Sequence, residues 1–352
     1  MPLPLDHPSS RTAESPLIRA YRGERPEQLP VWFMRQAGRS LPEYRAAREG
    51  TAMLESCLRP DLAAEITLQP VRRHRVDAAI FFSDIVVPLK LAGVDVDIAP
   101  GVGPVMGSAI RTRAEVDALP ELDPASLAPI QEAIGICVDQ LDTTPLIGFA
   151  GAPFTLASYL VEGKPSRDHL HTKALMHADP DTWHALLAWT ARTTSTFLRA
   201  QVMAGASAIQ LFDSWAGALS LPDYLTYAAP HSKAVFDNVA DLGVPRVHFG
   251  TKTSELLVAM HDCGADVMGV DDRTPLDVAI ARLGSDVPVQ GNIDPALLLA
   301  PWPVLSAHVL DVIEKGKGAR SHVLNLGHGV PPEADPEIIT RVVSLAHGEL
   351  DA

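Results

Sequence analysis

Short apolar runs recur eight times along this chain, and each is separated from the next by a loop and, in most cases, a helix-like stretch. In order they are Val31–Met34, Ala78–Phe82, Leu146–Ala150, Ala208–Phe212, Arg246–Phe249, Val267–Val270, Val287–Gln290 and His322–Leu326. Continuous apolar runs, without polar residues at every second position, suit parallel strands buried on both faces. The segments between them carry helix signals. Asp179-Pro180 predicts a long helix through Met203, with Asp as N-cap and Pro at the first helical position. Thr274-Pro275 predicts another, with Asp277 in the first turn and Gly284 beyond the last, and 254–260 a shorter one. Eight strand–helix alternations predict a single (β/α)8 TIM barrel; a doubly wound open sheet competes, but it usually needs fewer strands. A barrel can absorb 352 residues as one domain. We therefore expect residues 16–352 to form the catalytic barrel. A loose, Pro/Ser-rich N-terminal extension would precede it (about residues 1–15). A long insertion after strand two, Val86 to Pro120, would carry a small hairpin over the barrel mouth.

Composition narrows the function classes. The chain has 29 basic and 43 acidic residues, a net charge of −14. That balance disfavours nucleic acid and anionic membranes as partners, while leaving room for a small anion held by a few local arginines. Cys57, Cys137 and Cys263 are odd in number and far apart, as expected of reduced thiols in a cytoplasmic protein. The residues after Met1 show no basic segment followed by an apolar one, so no signal peptide is expected, and no run approaches a membrane span.

In a barrel of this kind, chemistry sits at the carboxyl ends of the strands. Those ends carry Arg35-Gln36-Ala37-Gly38-Arg39, Ser83-Asp84, Gly151 to Phe154 with Tyr159 beyond, and Asp213-Ser214. They also carry Asp271-Asp272, Gly291 to Asp294, and Gly327-His328-Gly329. Two arginines four apart are ordinarily a solvated face, but here they follow a buried strand and flank Ala-Gly, where backbone can approach a ligand. Asp84 and Asp213 could each cap a helix, although Ile85 to Pro88 is a poor helix start. Tyr159 reads equally well as a core aromatic. Gly101 to Gly107 lacks the dinucleotide spacing, Lys164 and Lys252 show no desolvated surroundings for Schiff-base chemistry, and His261-Asp262-Cys263 reads as a helix end capped by Gly264.

The sequence resembles the uroporphyrinogen decarboxylase family from about residue 14 to the last helix. Arg35 to Arg39 followed by Leu41 to Arg45 is similar to that family's first signature, and Gly148 to Tyr159 with Glu162-Gly163 to its second. Phe82-Ser83-Asp84, Gln210 to Ser214, Gln290 to Pro295 and Asn325 to Gly329 match in the family's order. Ser40 departs from it, at a position where an aromatic is common. The resemblance implies removal of the four acetate carboxyls of uroporphyrinogen III as carbon dioxide, with no metal or organic cofactor, by a homodimer. It makes Asp84 the central catalytic carboxylate, with Arg35 a second catalytic candidate, and Asp213 structural. Arg35, Gln36, Ala37, Gly38, Arg39, Asp84, Tyr159, Ser214 and His328 become the substrate-binding set. The proton donor stays open among Arg35, a bound water and a substrate carboxyl. Two rivals are weighed. A zinc- or corrinoid-type methyltransferase of the same barrel superfamily would need a cysteine after His248, where Phe249-Gly250 stands. A non-enzymatic tetrapyrrole-binding protein would have lost Asp84 or the arginine pair.

Overall fold

The computed structural model describes residues 3–4 and 7–350. Its strands in chain order are β1 (Ala79–Ile80), β2 (Val96–Ala99), β3 (Gly103–Met106), β4 (Leu146–Gly151) and β5 (Ala208–Asp213), then β6 (Arg246–Gly250), β7 (Val267–Gly269), β8 (Val289–Gln290) and β9 (His322–Val323). Seven of them form one sheet in the order β1-β4-β5-β6-β7-β8-β9, with every neighbouring pair parallel. β4 is buried at every position and β6 at all but its first, because helices cover one face and inward side chains fill the other. The helix Pro180–Met203 is the longest, and its Asp179 cap accepts from Thr182 N–H at 3.1 Å. Its Gln201 side chain bonds both N–H and C=O of Phe149, on the side of β4 where β1 has already ended. A side chain there replaces a missing strand.

Val31–Met34 is not a strand, contrary to the expectation from its apolar run. Only Val31 pairs, in a single parallel bridge with Leu324. Side chains accept three of its four N–H groups: Val31 N–H donates to Asp77, Phe33 N–H to Gln36 Oε1 at 2.9 Å, and Met34 N–H to Asn325 Oδ1 at 3.0 Å. The segment still touches both edges of the curled sheet. Leu324 N–H donates to Pro30 O beside β9, and Asp77 N–H donates to Val31 O ahead of β1.

The insertion 86–120 holds the antiparallel β2–β3 hairpin, tied by Met106 N–H to Gly163 O at the end of the helix Pro153–Glu162. A short helix, Val87–Leu91, begins where the sequence reads as a poor helix start: Val86 N–H caps onto Asp84 Oδ1, and Pro88 sits in the first turn, where its missing N–H is harmless. The expected loose extension lies partly outside the described residues. Within them, Pro8–Thr12 makes a 3-10 turn and the Thr12 hydroxyl donates to Ser207. All three cysteines are free and buried. No described helix is long and apolar enough to cross a membrane.

Candidate active site

The sheet gathers most of the expected polar residues at its carboxyl end, and the turn after Met34 sets their geometry. Arg35 adopts φ +59°, a conformation costly for a residue with a Cβ. The turn is braced by Gln36, which is buried and donates to Ala78 O at 3.0 Å while accepting from Phe33 N–H. Both ends of the Gln36 side chain are thus engaged with backbone, which leaves only its main chain to face a ligand. Gly38 is required by the same turn, since a Cβ there would lie 2.8 Å from Arg35 O. Gly329 packs against the other side of Arg35, where an added Cβ would lie 2.4 Å from Cδ. Arg35 is therefore aimed by glycines on two separate loops. Arg39 is exposed, and its carbonyl accepts from Arg45 at 2.7 Å.

Asp84 sits after β1 with one oxygen accepting Val86 N–H at 3.0 Å. Burial pushes its carboxyl above the ordinary range, and the Val86 N–H and the Arg35 charge pull it partly back. Tyr159 shares this neighbourhood. Burial raises its phenol, the Asp84 charge adds to that, and Arg35 opposes it. The Tyr159 ring stacks on Trp215, with centroids 3.9 Å apart, and His169 lies against the other aromatic at 4.7 Å. Tyr159 is partly buried and packs against the core cluster while keeping some exposure. Ser214 is also partly exposed, and its carbonyl accepts from the Thr251 hydroxyl at 2.7 Å.

His328 faces a cleft of about 530 Å³ that is also lined by Arg35, Lys252, Asp271, Asp272 and Arg273. Burial lowers the His328 pKa below its usual value, the Arg35 charge adds to this, and Asp272 opposes it. Asp84, Tyr159 and Ser214 are not among the cleft's lining residues, but Arg35 is, and its charge acts on Asp84 and Tyr159, so this outer cleft and the surroundings of Asp84 meet at Arg35. Sequence reasoning missed Lys252 and Arg273 as cleft residues and Trp215 as a wall; the only signal was their place just after strands. Among the described residues, no group of three or more His, Cys, Asp or Glu is placed to hold a metal ion.

Beneath the wall lies a buried pair. Asp213 Oδ1 accepts from the Thr155 hydroxyl at 2.8 Å, and Thr155 Oγ1 in turn accepts Trp215 N–H at 3.2 Å. Asp213 Oδ2 faces His248 Nε2 at 4.0 Å, both atoms without a hydrogen-bond partner. His248 Nδ1 lies 3.0 Å from Met260 O, which can only accept, so Nδ1 carries the proton and a neutral Nε2 presents a lone pair. Burial raises Asp213 to about 7 and lowers His248 to about 4.

Comparison with known proteins extends this description. Residues 12–349 match the family described as uroporphyrinogen decarboxylase (URO-D). A uroporphyrinogen decarboxylase from Arthrobacter sp. (strain FB24) is 68% identical over 337 residues, covering 96% of this chain and 98% of that protein. One from Leifsonia xyli subsp. xyli (strain CTCB07) is 61% identical over 358 residues, covering 96% and 95%. Among solved structures, a methyltransferase from Methanosarcina mazei superposes with a TM-score of 0.80 over 97% of this chain and 99% of that one. At 18% identity, that likeness concerns the fold alone.

Proposed function

This chain belongs to the uroporphyrinogen decarboxylase family, and on that premise we propose that it removes the four acetate carboxyls of uroporphyrinogen III as carbon dioxide, leaving coproporphyrinogen III. The reading is supported above all by one juxtaposition: Arg35, Asp84 and Tyr159 share one electrostatic neighbourhood at the carboxyl end of the sheet.

The chemistry follows from the substrate. A pyrrole is its own electron sink. Protonation of the ring carbon beside the acetate-bearing carbon gives a cation spread onto nitrogen. Breaking the bond to the carboxylate then releases carbon dioxide, and its electron pair neutralises the ring as an exocyclic methylene. Protonation of that methylene and loss of the ring proton give a methyl group, so one proton is consumed for each carbon dioxide released. The protein's task is placement and charge. Asp84 accepts hydrogen bonds from the pyrrole N–H groups and stabilises the cation as it forms. Arg35, Arg39 and His328 hold peripheral carboxylates through charge-assisted bonds, and Tyr159 and Ser214 add neutral ones. Gln36, Ala37 and Gly38 contribute through the main chain of the turn.

The finer architecture belongs to the same proposal. Val31–Met34 completes an eightfold ring by bridging the two sheet edges, residues 16–352 act as one catalytic domain, and the protein works as a cytoplasmic homodimer without cofactor. Anaerobic incubation with uroporphyrinogen, followed by mass, tests the reaction. Four successive losses of carbon dioxide are expected, and an unchanged substrate refutes the reading.

A further inference from the structure

Lys252 and Arg273 have no role in the chemistry above, yet both line the outer cleft with Arg35 and His328. The loop after β6 presents Lys252 in an enforced way. Its backbone is held at φ +60°, with its N–H donating to Asp271 Oδ2 at 2.6 Å. The same loop presses on Gly217, where a Cβ would lie 2.3 Å from Thr251 O and 2.7 Å from Lys252 Cβ. The Thr251 hydroxyl ties it to the Ser214 carbonyl. Asp271 lies against both cations, for it accepts the Lys252 backbone N–H and stands two residues before Arg273 on the same loop. Asp294, also on the lining, is engaged in capping Ala296 N–H.

Neighbouring cations behave differently. Arg246 pairs with Asp266 at 2.8 Å, and Arg282 with Glu255 at 3.2 Å. Lys252 and Arg273 form no ion pair among the described residues, in a chain whose net charge is −14. Asp271, Asp272 and Asp294 share the lining, but Asp271 is engaged by the Lys252 N–H and Asp294 by the Ala296 N–H, which leaves both cationic side chains able to receive an anion. The tetrapyrrole of the preceding reading carries two kinds of carboxylate: acetates, which are removed, and propionates, which stay. The cleft these cations line also holds Arg35 and His328, which the preceding reading assigns to peripheral carboxylates, so Lys252 and Arg273 extend that carboxylate-binding side.

We propose that Lys252 and Arg273 form a second carboxylate grip, which holds propionate side chains of the tetrapyrrole through all four decarboxylations. The grip keeps its ligand while the acetates disappear, so affinity persists from the first substrate to the last intermediate. The proposal rests on the decarboxylase reading.

The test compares two substrates under anaerobic conditions: uroporphyrinogen, and the five-carboxylate porphyrinogen that keeps four propionates and one acetate. Lys252→Met and Arg273→Met keep an unbranched stem and remove charge. Each should raise KM roughly tenfold, as expected for loss of one charged hydrogen bond, and the double variant about a hundredfold. The factor should be the same for both substrates, kcat should fall far less, and Lys252→Arg should recover most of the loss. Equilibrium dialysis of coproporphyrinogen, which bears propionates alone, should show the same weakening without any turnover. A KM rise confined to uroporphyrinogen would assign the cations to acetates and overturn the proposal. So would unchanged KM, or a collapse of kcat with KM intact. If the wild-type protein decarboxylates neither compound, the decarboxylase reading fails and the grip falls with it; normal wild-type turnover with unaffected variants removes the grip alone.

Discussion

Asp84→Asn isolates charge from shape at the proposed catalytic carboxylate. The asparagine carbonyl can still accept Val86 N–H, the 3.0 Å bond that holds the start of the helix Val87–Leu91, so the local fold should survive. What disappears is the negative charge beneath a forming pyrrole cation. Two unit charges about 4 Å apart interact by about 4 kcal/mol at an effective dielectric near 20. Removing one preorganised partner in a water-poor site typically costs about 3–4 kcal/mol. The two figures agree, and they correspond to a fall in kcat of a hundred- to a thousandfold. KM should change less, because the neutral porphyrinogen core still meets an acceptor. The assay is initial-rate release of carbon dioxide under anaerobic conditions, with circular dichroism to verify folding. Asp84→Glu should keep more activity than Asn. The wild-type rate should also show an acid limb lying above the ordinary carboxylate range, because burial raises the Asp84 pKa and only the ionised form is active. Asp84 does serve as a turn cap, and a cap tolerates asparagine well. A folded Asn variant with near-normal turnover would therefore show that capping is its whole role and refute the mechanism.

Four further outcomes are expected. Arg39→Ala should raise KM ten- to a hundredfold, from loss of a charged hydrogen bond of about 1.5–3 kcal/mol, with Lys restoring only part of it; steady-state kinetics checks this. Gly329→Ala puts a Cβ 2.4 Å from Arg35 Cδ and 3.0 Å from its Cβ, so the whole arginine must move; kcat/KM should drop while thermal stability changes little. Asp213 has a folded pKa raised from 3.8 to about 7, so its contribution to stability is fully present below the unfolded value and is lost as pH rises through 7. Asp213→Asn, whose amide can donate to His248 Nε2, should therefore raise Tm at pH 8 and lose that advantage toward pH 5, as read by calorimetry. Dialysis against a strong chelator should leave turnover intact, whereas a loss restored by zinc would contradict the cofactor-free reaction.

Much of this protein is legible locally. Burial on both faces of a parallel strand demands continuous apolar runs, and these mark β4 through β9. Caps and prolines mark helix starts because they answer to the N–H groups of a single turn, as Asp179 does for Thr182. Loops at the carboxyl ends of parallel strands collect polar residues, so Asp84, Ser214 and His328 stand out in sequence. Other features depend on partners hundreds of residues away. Val31–Met34 has the composition of a strand, but three of its four N–H groups donate to side chains, one of them Asn325, 291 positions along the chain from Met34. Gln36 reads as part of a binding motif, and only its reach to Ala78 O shows that the side chain is a brace. Lys252 was an isolated lysine until the fold set it beside Arg273 and Asp271 in one cleft. Propensity and pattern are properties of neighbours along the chain. Hydrogen-bond satisfaction, burial and charge pairing are properties of neighbours in space, and only the tertiary structure decides which those are.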